Sequence, residues 1–340
     1  MKGVAIVKNI DHWKRMDAIL RGDAMEQIPV SLWRHFPVED TDPGKLARHT
    51  IAWQEKWQFD FVKFMPPGTF SVEDWGAATA YTGATNGARV VTNAAVKRTE
   101  DWKEIRHLNA RAGSWGQQNI ALAQAARGLN GSVPILQTVF SPLTTARKLA
   151  TEGIFADIRC NPDAIEAALR VITDVTIDFC LDAIRAGAHG IFLATQLASH
   201  RLLTVTEYER FGAKYDIEIL EALRGRCQFN MLHAHGDDIM FDLLSSYPVQ
   251  LFNWHDRLTD PDLRRARQKF SQVLVGGLNE HNTLVRGTPQ EIAGEVMDAI
   301  EQTDGRRLII GPGCVLPVAT ADSAIQAVVE AARDHNTVAL

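Results

Sequence analysis

Short apolar runs alternate with longer amphipathic segments along almost the whole chain. This alternation is typical of repeated βα units around a parallel sheet. The eight runs that we predict to be strands are PVSLWR (29–34), DFVKFM (60–65), PILQTVF (134–140), GIFLAT (190–195), CQFNMLHAH (227–235), VQLFNW (249–254), SQVLVGGL (271–278) and RLIIGPG (307–313). Eight strands, each followed by a helix, predict an α/β protein with the (β/α)8 TIM-barrel fold, and a doubly wound open sheet is the alternative.

Several predicted helices begin with a capping residue or an acid followed by proline, which is favoured at the first helical position. They start in TDPGKLARH, NPDAIEAALRV, DPDLRRARQ and TPQEIAGEVMDAI, and TADSAIQAVVEAARDH has the spacing of a final helix. No linker divides the chain. We therefore expect one barrel domain over residues 1–340, with an N-terminal helical extension at 1–27 and an insert at 66–93 near the barrel mouth.

Composition narrows the classes of partner. The chain has 46% hydrophobic residues and a net charge of −5 without runs of like sign, so no nucleic-acid or anionic-membrane partner is indicated and a small molecule is expected. No apolar stretch has the length of a membrane span or the form of a signal peptide, which predicts a cytoplasmic protein. The four cysteines form no CxxC pair, and we interpret Cys160, Cys180 and Cys227 as core or helix-surface residues.

The segment HAHGDD places two histidines at the end of the fifth predicted strand. His233 and His235 are two residues apart, so their rings point to one face, and catalytic groups of TIM barrels lie at this end of the strands. Cys314 follows the eighth predicted strand and can reach the same mouth. A lone buried histidine is usually a satisfied core residue, but two imidazoles and a thiolate with an open fourth position are typical of catalytic zinc.

Other polar residues follow predicted strands. Glu280 and His255 are the predicted catalytic residues for proton transfer, although capping and surface roles are the alternative for His255. Lys63, inside the second predicted strand, is expected to pair with an acid, because an unpaired buried charge is costly. The predicted substrate-binding residues, for which turn or packing roles are the alternative, are Arg34, His35, Phe70, Gln196, Trp254 and Asn279.

Longer sequence motifs of this chain are similar to those of a known family. RMDAILRGDAMEQIPVSLW, AGAHGIFLATQLASHRLLTVTEYERF, LHAHGDD, VGGLNEHNTLVRGTPQEI and LIIGPGCVLPVATADSAIQAVVEAAR resemble the uroporphyrinogen decarboxylase superfamily over nearly the entire chain. The resemblance implies a (β/α)8 barrel and one of two branches: haem-synthesis decarboxylases or zinc-dependent methyltransferases that work with corrinoid proteins. The decarboxylase branch carries an arginine-rich MRQAGRY motif, whereas this chain has SLWRHFPVED with Arg34 alone. The methyltransferase branch is therefore the better match.

That branch binds zinc through His-x-Cys and a distant cysteine. By motif, His233 takes the histidine place, His235 stands where the family has its first cysteine, and Cys314 takes the second. Replacing a thiolate by a neutral imidazole makes the metal more electrophilic. The resemblance further implies one zinc per chain, a corrinoid carried by a partner protein or free cobalamin, and a homodimer as a possible assembly.

The sequence thus predicts a zinc-dependent methyltransferase acting between a small methylated substrate, of methyl ether or thiol type, and a corrinoid protein. Three alternatives stay open at this point. The barrel could be a decarboxylase or lyase of a small carboxylic acid, a non-catalytic family member, or a metal hydrolase.

Overall fold

The computed structural model describes residues 11–334. Its strands, in chain order, are β1 (Val62–Phe64), β2 (Ala78–Tyr81), β3 (Arg89–Asn93), β4 (Ile135–Phe140), β5 (Gly190–Thr195), β6 (Met231–Ala234), β7 (Leu251–Trp254), β8 (Val273–Leu278) and β9 (Leu308–Pro312). Seven of them form one parallel sheet in the order β1-β4-β5-β6-β7-β8-β9. Strands such as β4, β5 and β8 are buried along their whole length, as expected for a parallel sheet covered on both faces.

Residues 29–34 close the sheet between β9 and β1. Ile310 donates its N–H to Pro29 O at 2.8 Å, Ser31 donates to Ile310 O at 3.0 Å, and Asp60 donates to Val30 O at 2.9 Å. The segment therefore occupies the first-strand position that the sequence predicts, but only a parallel bridge between Val30 and Ile310 is regular. This closure makes the architecture a (β/α)8 barrel, which confirms the predicted fold class.

Helices surround the sheet and connect consecutive strands. The α-helices are α1 (His12–Arg21), α2 (Pro43–Trp57), α3 (Phe70–Glu73), α4 (Gly113–Leu129), α5 (Pro142–Ala150), α6 (Ile154–Cys160), α7 (Pro162–Arg185), α8 (Val205–Tyr208), α9 (Lys214–Ala222), α10 (Phe241–Leu244), α11 (Leu263–Lys269), α12 (Thr283–Arg286), α13 (Pro289–Thr303) and α14 (Asp322–Arg333). Shorter 3-10 turns span Glu39–Thr41, Thr99–Glu104 and Thr151–Gly153, and a π-helical turn spans Glu209–Ala213.

The predicted helix starts agree with the structure at three of four prolines. Pro43, Pro162 and Pro289 each open a helix. Pro261 does not: α11 begins at Leu263, and the side chain of Asp262 caps it by accepting the N–H of Arg265. The acid that directly follows this proline was the better start signal, because its carboxylate accepts a free N–H of the first helical turn, which proline cannot do.

The segments predicted to be an extension and an insert have structure of their own. Helix α1 lies within residues 1–27, of which residues 1–10 are outside the described residues. Residues 66–93 contain α3 and an antiparallel hairpin, β2 with β3. Among residues 11–334, no helix combines the length and the hydropathy that a membrane crossing requires.

Candidate active site

A cavity of about 500 Å³ opens at the carboxyl ends of the barrel strands. Its floor contains His233, His235 and Cys314, and its wall includes residues of the 66–93 insert such as Arg89 and Val91. A larger groove of about 1000 Å³ lies nearby but contains none of the predicted site residues. The smaller cavity therefore contains the metal ligands predicted from the sequence.

The three predicted metal ligands converge on one point. His233 is on β6, His235 follows its last residue, and Cys314 follows β9. Cys314 Sγ lies 3.7 Å from His233 Nε2 and 3.6 Å from His235 Nδ1, and all three donor atoms lie within 4.8 Å of one another. Side chains separated by some eighty positions in the sequence thus share one site.

This donor set fits zinc. With Zn–N bonds of about 2.05 Å and Zn–S bonds of about 2.3 Å, two ligands of one tetrahedral ion are about 3.6 Å apart, and the two N···S distances match that value. His255 Nε2 lies 3.2 Å from His235 Nδ1, but His255 is grouped with Glu280 and His281 and not with the three converging donor atoms. His255 therefore lies beside the three-ligand set, and a fourth coordination position stays available to a substrate atom.

The surroundings of the donor atoms favour the protonation states and the ring orientation that a metal ion requires. Burial lowers the pKa of His233, which favours the neutral imidazole that a metal needs. Burial alone would raise the pKa of the Cys314 thiol, but hydrogen bonding to His233 and the charges around it hold that pKa well below its usual range. Asn253 Oδ1 lies 2.6 Å from His233 Nδ1, which fixes the ring and directs Nε2 into the site.

The two predicted catalytic residues lie beside the donor set. Glu280 is 1% exposed, and its Oε1 lies 3.1 Å from His255 Nδ1. Its Oε2 accepts the N–H of Gly313 at 3.1 Å, directly before Cys314 in the chain. Burial opposes the charged form of His255, but the Cys314 and Glu280 partners outweigh it and raise the pKa of His255 to about 10. Glu280 thus joins the histidine to the cysteine-bearing segment.

Two of the six predicted substrate-binding residues line the cavity. His35 is buried with its Nδ1 3.7 Å from Asp40 Oδ2, and Gln196, directly after β5, is partly exposed at the mouth. The structure brings both to the space above the donor set.

The other four point elsewhere. Arg34 packs over the Trp53 ring and donates to Val318 O, since its neighbour Trp33 takes the inward side. Phe70 is in the core among other aromatic rings. Trp254 faces the surrounding helices and donates to a backbone carbonyl, and Asn279 shapes the turn after β8. None of these four lines the cavity.

Several residues of the site were missed from the sequence. Asn253 lies in a buried strand, where an amide side chain is unusual. No sequence motif identified it as a residue of the site. Lys148 and Arg89 line the cavity from α5 and β3. The prediction that Lys63 pairs with an acid was wrong: its Nζ contacts Met65 Sδ and lies over the rings of Phe192 and Trp33.

Comparison with known proteins agrees with this geometry. The family model described as uroporphyrinogen decarboxylase (URO-D) matches residues 14–335. The chain belongs to this family. It is 20% identical over 313 residues to the methylcobamide:CoM methyltransferase MtbA of Methanosarcina acetivorans, covering 92% of this chain and 90% of that protein. It is also 22% identical over 255 residues to the uroporphyrinogen decarboxylase of an Azoarcus species, covering 70% and 68%.

A solved structure shares the fold. A methyltransferase from Methanosarcina mazei superposes with a TM-score of 0.84 at 19% identity, covering 97% of this chain and all of that one. The resemblance predicted from the sequence motifs is confirmed, and with it the prediction of an enzyme of this superfamily.

Proposed function

We propose that this enzyme transfers a methyl group between a corrinoid, carried by a partner protein or as free cobalamin, and a small thiol or methyl ether, with zinc in the His233–His235–Cys314 site. The observation that carries the proposal is the convergence of these three donor atoms at zinc-like spacing on the cavity floor. The methylcobamide:CoM methyltransferase among its relatives supports the same chemistry. The arginine-poor segment after the first strand position disfavours the polycarboxylate chemistry of the decarboxylase.

Bound zinc would supply Lewis acidity, which lowers the pKa of a substrate thiol or polarises an ether oxygen. Residues of the chain orient the ligands and transfer protons. Asn253 orients His233, and Glu280 holds both His255 and the backbone before Cys314. His255 and Glu280 are buried ionisable groups directly beside the three ligands, so we assign the proton transfer to this pair. His35 and Gln196, on the cavity wall, are the predicted substrate contacts that the geometry retains.

Metal analysis tests the zinc part of the proposal. We expect about one zinc per chain in the purified protein, lost in His233→Ala and in Cys314→Ala, because each removes one of three ligands. Cys160→Ala is the matched control, since Cys160 is exposed on α6 and does not line the cavity. Zinc that persists in both ligand variants would contradict the site.

Spectroscopy tests the methyl transfer. Mixing the zinc-loaded enzyme with methylcobalamin and a thiol should convert methylcobalamin to cob(I)alamin while the thiolate becomes a methyl thioether, the cobalt retaining the electron pair of the broken bond. Methyl ethers are tested in the opposite direction with cob(I)alamin. A fully zinc-loaded enzyme that reacts with neither panel, with free cobalamin or with a corrinoid protein, would overturn the proposed function.

A further inference from the structure

A second cluster of potential metal ligands lies beside the three-ligand set and outside the cavity lining. It consists of His255, directly after β7, and of Glu280 and His281, both after β8. Glu280 Oε1 lies 3.1 Å from His255 Nδ1 and 3.6 Å from His281 Nε2, and one donor atom from each residue lies within 4.8 Å of the other two. The ends of two neighbouring strands thus bring two imidazoles and a carboxylate together.

Two of these donor atoms are buried without a hydrogen-bond partner. His255 is 7% exposed and Glu280 is 1% exposed, and within residues 11–334 neither His255 Nδ1 nor Glu280 Oε1 makes a hydrogen bond. The two atoms are in ion-pair contact at 3.1 Å, but their geometry is not that of a hydrogen bond. Buried polar atoms are nearly always satisfied, so this pair favours a ligand that both atoms can bind.

The other ring nitrogen of His255 determines which lone pair faces the cluster. Its Nε2 is directed at the three-ligand set, 3.2 Å from His235 Nδ1 and in hydrogen-bonding contact with Cys314. A proton donated from Nε2 leaves the lone pair on Nδ1, because the bond made by one histidine nitrogen decides what the other one binds. His255 Nδ1 therefore faces Glu280 as a potential metal ligand.

The spacing and the donor types suit a divalent transition-metal ion. With metal–N and metal–O bonds of about 2.1 Å, two ligands of one ion are about 3.0 Å apart at a right angle and about 3.4 Å apart at the tetrahedral angle. The 3.1 Å separation lies inside that range, and the 3.6 Å separation ends on the His281 side chain, which is 55% exposed and has room to move closer. Two imidazoles favour zinc, cobalt or nickel over magnesium and calcium.

We propose that His255, Glu280 and His281 bind a second divalent transition-metal ion of the zinc class. This site is weaker than the three-ligand set, because it has no thiolate and because binding must break the contact between His255 and Glu280. It therefore fills only when the metal exceeds one ion per chain. A filled site holds His255 and Glu280 as ligands and stops the proton transfer assigned to them. That consequence rests on the proposed function, whereas the site itself does not.

Titration of the metal-free protein with cobalt(II) tests the proposal, because the absorption of bound cobalt reports its ligands. The first equivalent should give an intense near-ultraviolet band from the Cys314 thiolate. The second should bind at least about tenfold more weakly and add only weak visible bands, because the cluster has no thiolate. Equilibrium dialysis counts the ions bound in each step. A single equivalent in the wild type, even with cobalt in large excess, would overturn the inference.

Variants locate the second ion. His281→Ala should remove the second equivalent and keep the first, because His281 is not one of the three converging ligands. Cys314→Ala should abolish the near-ultraviolet band and leave the ion of the cluster. His200→Ala is the matched control, since His200 is exposed and belongs to neither donor set. A second equivalent that survives both His281→Ala and Glu280→Gln would lie elsewhere and overturn the site.

Excess zinc tests the consequence for activity and separates it from the proposed function. In assays that start from the one-zinc enzyme, a second equivalent of zinc should lower the rate of methyl transfer about tenfold or more, because acid–base catalysis is lost. His281→Ala should lose this inhibition. Two bound cobalt equivalents without any methyl transfer would leave the site standing and overturn the function. Methyl transfer by an enzyme that binds a single ion would do the reverse.

Discussion

Removing the buried charge of Lys63 should stabilise the metal-free protein. In Lys63→Met the side chain keeps a similar length and apolar stem, and the ammonium that lies among Trp33, Phe192 and Met65 disappears. Methionine also adapts well to irregular apolar surroundings. A substitution inside a barrel strand is normally destabilising, so the expected sign is the opposite of the usual one.

The size of the effect follows from the pKa. Burial lowers the pKa of Lys63 from 10.5 to about 7, and each pKa unit corresponds to 1.36 kcal/mol, so the native state loses about 4 kcal/mol at neutral pH relative to an uncharged side chain. The cation–π contacts with Phe192 and Trp33 return about 1–2 kcal/mol of this. We therefore expect Lys63→Met to raise the free energy of unfolding by about 2–3 kcal/mol.

The gain should depend on pH in a defined direction. The pKa of Lys63 is lower in the folded than in the unfolded chain, so between about pH 7 and 10.5 the unfolded chain binds more protons and wild-type stability rises with pH. The difference between Lys63→Met and wild type should shrink accordingly and approach zero near the upper limit. The lowered pKa of Lys148 acts equally in both proteins and cancels.

Urea unfolding at several pH values, with EDTA present, measures this difference, and Lys103→Met controls for the loss of one surface charge. A lower unfolding free energy for Lys63→Met than for wild type would refute the reasoning. So would a stability difference that stays constant from about pH 7 to 10, because it could not come from the ionisation of Lys63.

Two further variants test how the metal ligands are held. Gly313→Ala would place a Cβ 2.9 Å from His255 Cα, so we expect a 10- to 100-fold loss of zinc affinity, measured by competition with a chromophoric chelator. Gly294→Ala, whose Cβ meets nothing within 4 Å, is the control, and equal affinities would contradict the expected clash. Asn253→Ala removes the 2.6 Å contact to His233 Nδ1 and should cost a similar factor. Wild-type affinity in Asn253→Ala would show that the amide does not orient the ring.

The barrel and the metal ligands could be predicted because each depends on a local signal. Alternation of apolar runs and capped helices gives the βα repeat, and the two-residue spacing of His233 and His235 places both rings on one face of a strand. The closure of a barrel then brings Cys314 from the end of β9 to the same mouth. The first strand was less regular than predicted, since Pro29 has no N–H to donate to a ladder.

Asn253 could not be predicted because its role depends on register between strands. It is paired with His233 across β6 and β7, and no pattern within either strand fixes that pairing. The direction of the Arg34 side chain could not be predicted either. Side chains alternate along an extended segment, and the sequence does not say whether Trp33 or Arg34 takes the inward side.

Lys63 was mispredicted for a different physical reason. The rule that a buried charge pairs with an acid was applied within the chain, whereas residues 11–334 offer no carboxylate to its ammonium. The proposed metal site would also carry uncompensated positive charge. Two neutral imidazoles and one thiolate would leave bound zinc with one net positive charge, where the His-x-Cys pattern with two thiolates would leave none. A substrate thiolate at the open coordination position would cancel this excess, so the presence of His235 where the family pattern has a cysteine favours a thiol that binds the metal as its anion.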